Sequence, residues 1–111
     1  MIHDVSLMVR FCDMDADPAL SAEIAKRLDQ LARRGEAVRG SVSVRADARR
    51  GTPGYVVHAR LLTSHGSISV RRDERSAEIR SAGRAVHEVL DALERRLDIR
   101  ERWAAEGRGL S

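Results

Sequence analysis

At 111 residues, 33% of them charged and only Phe11, Tyr55 and Trp103 aromatic, the chain can bury one core but not two, and that core must be a thin layer of Val, Leu, Ile and Ala. No run approaches the ~18 apolar residues of a membrane span, and Met1-Ile2-His3-Asp4 lacks the basic-then-apolar pattern of a secretion signal, so a cytosolic protein with no membrane partner is expected. The net charge is +3 and Lys26 is the only lysine among 20 basic residues; arginine forks hold phosphates bidentately, which favours a nucleic acid, although a GC-rich genome also replaces lysine with arginine.

Val5, Leu7, Val9 and Phe11 alternate with Ser6, Met8, Arg10 and Cys12, which predicts a strand with one covered face. Cys12 is a reduced strand residue, since a lone cysteine has no internal disulfide partner and no CxxC partner for zinc. Asp17-Pro18 supplies an N-cap and a first-turn proline, Leu20, Ile24, Leu28 and Leu31 recur at helical spacing, and Gly35 is the expected left-handed C-cap, which together predict a helix over 18–34. Val38, Gly40, Val42 and Val44 then alternate with Arg39, Ser41, Ser43 and Arg45, a second strand whose other face is basic and wet. The glycine-rich loop Arg49 to Gly54 joins strands and lacks the GK[ST] ending of a phosphate cradle, so it reads as a turn.

Tyr55, Val57, Ala59 and Leu61 predict the covered face of a third strand, His65-Gly66 a tight turn, and Ile68 and Val70 a fourth strand. Arg71 to Arg80 is charged and aperiodic and reads as a mobile connection. After Ser81 a long helix follows, with Val86, Leu90, Leu93 and Leu97 inward, running to about Ala105; a single domain over 1–106 and a frayed tail over 107–111 are expected. The order strand-helix-strand-strand-strand-helix predicts an α+β two-layer sandwich: a four-stranded, mostly antiparallel sheet with both helices on one face.

His3, His58, His65 and His87 are scattered over predicted elements, with no HExxH pair and no GxSxG elbow, so neither catalysis, a metal nor a cofactor is expected. His58 beside Arg60 reads as an ordinary surface histidine of the open sheet face. On helix one, Lys26, Arg27, Arg33 and Arg34 lie off the apolar stripe against only Glu23 and Asp29, which predicts a net positive surface. Helix two places Arg84, Arg95 and Arg102 on one stripe together with Asp91 and Asp98. That stripe is either an RNA-facing surface or a solvated face of i,i+4 pairs, Asp91 with Arg95 and Asp98 with Arg102, each contributing ~0.3–0.5 kcal/mol.

The run Val9-Arg10-Phe11-Cys12-Asp13-Met14-Asp15 with Pro18-Ala19-Leu20, then Tyr55 to Leu61, Ser67 to Arg72, and Ala85-Val86 leading to Leu93-Glu94-Arg95-Arg96-Leu97, resembles the ribosome hibernation-promoting factors, also called ribosome-associated inhibitor or sigma-modulation proteins. The resemblance spans about residues 4 to 103. It implies a β-α-β-β-β-α fold that docks between head and body of the small ribosomal subunit near the decoding centre and silences translation in resting bacterial cells. The implied partners are that subunit and its rRNA, with no DNA and no cofactor, and the selection is by shape.

Matching residue by residue puts Arg10, Arg27, Arg33 and Arg95 where the family carries basic residues; Lys26, Arg34, Arg84, Arg96 and Arg102 join them by helix geometry. The chain departs from the family at Ser81-Ala82-Gly83-Arg84, where an acidic residue and an aromatic are usual, and at Gln30, Ala92 and Ile99, where helix cations are usual. It also stops soon after helix two, which implies a short form without the dimerisation domain of long members. A double-stranded-RNA-binding-like module and a protein-interaction module without a ribosome role are the alternatives.

Overall fold

The computed structural model describes residues 5–47, 54–74 and 81–109. In chain order these form β1 (Ser6–Cys12), α1 (Pro18–Arg34), β2 (Ala37–Ala46), β3 (Tyr55–Thr63), β4 (Gly66–Glu74) and α2 (Ala82–Gly109). The sheet order is β1-β2-β3-β4, with β1 parallel to β2 and the other two pairings antiparallel. A parallel pair cannot be joined by a tight turn, and α1 provides the crossover. Both helices pack on one face, so the α+β two-layer sandwich stands as expected.

Helix α1 begins and ends where the sequence places it. Asp17 accepts a hydrogen bond from the Leu20 backbone N–H at 3.1 Å, and Pro18 occupies the first helical turn. Its stop differs from expectation: Gly35 has φ −87°, and the left-handed residue is Glu36 at φ 55°. Gly35 instead packs closely against α2: a Cβ there would lie 2.9 Å from Leu97 Cδ1, so a larger residue would require the end of that side chain to shift.

The covered face buries Val42, Val44, Val57, Ala59, Leu61, Ile68 and Val70 under Ile24, Leu28 and Leu31 of α1 and Val86, Leu90, Leu93 and Leu97 of α2. Val38 is a correction. Ala37 pairs with Thr63 and Arg39 with Leu62, so Val38 is an extra, bulged residue; it is 51% exposed while Ala37 is fully buried.

The hairpin turn is Ser64-His65, one residue earlier than expected. Thr63 closes it, its hydroxyl donating to the Gly66 carbonyl and accepting from the His65 N–H, and Gly66 takes φ +112°. A second correction concerns Arg71 to Glu74, which are not a connection but the end of β4, paired with His58 to Tyr55. The rest of the expected mobile segment, residues 75–80, lies outside the described residues, as do 48–53 of the loop before β3 and Leu110 and Ser111 of the expected tail. Helix α2 continues through residues 107–109 to Gly109.

Gly40 lies where α1 comes close to the sheet. A Cβ built there would lie 3.2 Å from side-chain carbons of Leu7, Leu28 and Leu61, three leucines from three elements. Gly40→Val should therefore lower stability by about 1–3 kcal/mol, read as a shift of the urea midpoint, because the added methyls must push α1 off the sheet.

Candidate nucleic-acid interface

The two helices run in the same direction, and their polar flanks meet in a ladder of ion pairs. Arg27 on α1 donates to Asp91 on α2, with side chains 25% and 35% exposed. Seven residues on, Arg34 donates to Asp98 and, through Nε and Nη2, to both Glu101 carboxylate oxygens at 3.2 and 3.1 Å; Glu94 lies 4.0 Å away. The seven-residue step is two helical turns on each partner, so both rungs fall on the same seam. Hydrogen bonding to Glu101 holds the Arg34 guanidinium still more firmly protonated than usual.

This ladder corrects two expectations. Asp91 and Asp98 reach across to α1 instead of pairing with Arg95 and Arg102 on their own helix, and the α1 face predicted to be net positive is largely neutralised. Arg33 also has a carboxylate partner, Asp29, with Nε 3.1 and 3.0 Å from its two oxygens. Of the α1 candidates only Lys26 is exposed with no ion pair among the described residues.

On α2 the balance is the opposite. Arg84, Arg95 and Arg102 are exposed and make no ion pair with a described residue. Arg96 donates to the Ser69 carbonyl of β4 and so covers part of the sheet's edge. Arg10 lies on the other side of the molecule, on the open face of β1, with Nη2 3.8 Å from Met8 Sδ. The nine candidate residues therefore do not form one surface. They divide into ion-paired Arg27, Arg33 and Arg34, an unpaired set of Lys26, Arg84, Arg95 and Arg102, a sheet-edge contact at Arg96, and Arg10 on the far face.

Ala92, where the resemblance leads one to look for a cation, is 6% exposed and belongs to the core, whereas Ile99 is 49% and Trp103 71% exposed. No group of three or more His, Cys, Asp or Glu side chains among the described residues is placed to hold a metal. No helix among them is long and apolar enough to cross a membrane.

No protein-family model matches the sequence, and neither does any curated protein. Solved structures do match. A ribosomal subunit interface protein from Coxiella burnetii superposes with a TM-score of 0.69 over 88% of this chain and 99% of its own, at 15% identity. The chain has that protein's fold. The N-terminal domain of Thermus thermophilus Protein Y shares it with a TM-score of 0.52 over 85% of this chain and 94% of the domain, at 18% identity.

The Arg27–Asp91 rung makes a prediction about acid. The Arg27 hydrogen bond, opposed by desolvation and aided by the charges of Arg27, His87 and Arg95, holds the Asp91 carboxyl below its ordinary value. The folded chain thus binds that proton more weakly than the unfolded chain. The stabilisation is complete above the unfolded value and is lost as pH falls from about 4. Asp91→Asn should flatten the acid side of a stability-versus-pH curve while costing less than about 1 kcal/mol at neutral pH, because the pair is partly solvated.

Proposed function

We propose that this protein is a ribosome-associated translation inhibitor that binds the small ribosomal subunit through its rRNA. The observation that carries the reading is the fold likeness to the Coxiella ribosomal subunit interface protein, which takes in 88% of this chain and nearly all of that one. The sequence resemblance to hibernation factors, found independently from short runs in the same order, points the same way. Binding rather than catalysis is the proposed activity, with no cofactor, and the place of action is the cytoplasm.

On the helix side the contacts fall to Lys26, Arg84, Arg95 and Arg102, which are exposed and make no ion pair with a described residue. Arg27 and Arg34 contribute by fixing the helix seam, and Arg33 is held by Asp29 of its own helix, so each phosphate they met would have to displace a carboxylate. A double-stranded-RNA-binding module is disfavoured by β1, an additional strand paired parallel to β2. The exposed Ile99 and Trp103, one turn apart on α2, favour the second reading of a protein-contact surface.

The test is co-sedimentation with purified small subunits at low and high salt, paired with inhibition of cell-free translation. Pelleting should weaken with salt. A Lys26→Glu, Arg95→Glu, Arg102→Glu variant, which breaks no ion pair among the described residues, should lose inhibition while keeping its helix content. Failure of the wild-type protein to pellet with small subunits at low salt would remove the reading. Arg27→Glu is a poor probe, because it would set a carboxylate against Asp91 and loosen the seam.

A further inference from the structure

Strand register brings together a set of cations that the helix side does not share. The face of the sheet turned away from the helices carries Arg10 on β1, Arg39 and Arg45 on β2, Arg60 on β3 and Arg71 on β4, all exposed. None of these five makes an ion pair with a described residue. Within the four strands, Asp73 is the only acidic residue at a register position on this face. By contrast, the helix side spends at least three of its arginines on carboxylates.

The arrangement is ordered. One register row runs Arg10, Ser43, His58, Arg71 across all four strands, and the next runs Met8, Ser41, Arg60, Ser69. Arg39, Arg60 and Arg71 step diagonally over β2, β3 and β4, one strand and two residues at a time, so successive positions lie ~7–8 Å apart. Serine hydroxyls stand between the guanidinium groups. Two shallow depressions open on this face, one of about 200 Å³ floored by Cys12 and Ser43 among Arg10, Arg45 and Arg71, the other of about 140 Å³ between Arg39 and Arg60.

We infer that this open sheet face is a phosphate-binding platform for a single-stranded RNA segment, whose backbone follows the Arg39–Arg60–Arg71 diagonal. Charge complementarity and the fork geometry of arginine select a phosphodiester chain, and the regular diagonal step suits consecutive phosphates of an extended strand. The strands place no Phe, Tyr or Trp on this face; the only stacking surfaces it offers are the His58 ring and the guanidinium planes, and such stacking tolerates any base, so the binding is indifferent to base sequence. The choice of RNA over another polyanion rests on the ribosome-associated reading; the platform itself does not use the helix-side cations.

The chain carries its own reporter for this face, since its single cysteine, Cys12, lines the larger depression. The experiment uses the full chain, a uridine oligonucleotide of about twenty nucleotides, and purified small subunits as separate probes. The oligonucleotide should bind at low salt, slow alkylation of Cys12 by iodoacetamide, and bind on the order of tenfold more weakly to an Arg60→Ser, Arg71→Ser variant, with a salt slope reduced by about 1.4. The Lys26→Glu, Arg95→Glu, Arg102→Glu variant should still protect Cys12.

No binding of the oligonucleotide, unchanged Cys12 alkylation at saturation, or an unchanged affinity of the Arg60→Ser, Arg71→Ser variant would each overturn the inference. If the oligonucleotide protects Cys12 but small subunits do not pellet the protein, the platform stands and the ribosome-associated reading falls.

Discussion

Leu7, Leu28 and Leu61 converge over Gly40, where the sheet has no side chain of its own to offer, and the helical layer settles onto the sheet at that point. Much of the molecule's functional surface follows from this close seating. With α1 held at that depth and α2 beside it, Leu97 can come down onto Gly35, and the seam between the helices is narrow enough for Arg27 and Arg34 to reach Asp91 and Asp98. A wider gap would leave those arginines in solvent and return a positive α1 face.

Burying one face of the sheet so completely also fixes the character of the other. The two-residue period that sends Val42, Val44, Val57, Ala59, Ile68 and Val70 under the helices sends Arg45, His58, Arg60 and Arg71 into water, and a slip of one residue would exchange the two sets. The positive field of the open face is thus tied to the register that builds the core. On the helix side charge is set by pairing across a seam, so cations and anions there largely cancel in the interior of the ladder and remain unmatched at its flanks.

Much of this was legible in the residues. The element order, the bounds of α1 and the inward stripes of both helices follow from period and capping alone, and the sequence pattern already gave β2 a basic outer face. Val38 misled because alternation cannot register an extra residue; the bulge that exposes it and buries Ala37 is visible only in the pairing of β2 with β3. Arg71 to Glu74 misled because every residue of that run is polar, which erases the period while backbone pairing continues. Asp91 and Asp98 sit four residues before an arginine on their own helix and seven residues apart in step with Arg27 and Arg34; sequence spacing offers both partners, and only the packed helices choose. Gly35 invited a left-handed cap, but that conformation falls to Glu36, and Leu97 of α2 packs close against Gly35.

The five cations of the open face are all arginines, and a guanidinium stays protonated across the whole range in which proteins remain folded. Their attraction for a polyanion is consequently blind to acidification, yet it fades beyond a screening length of about 8 Å at physiological ionic strength. Salt, and not proton concentration, therefore governs how far the charge of these five side chains reaches.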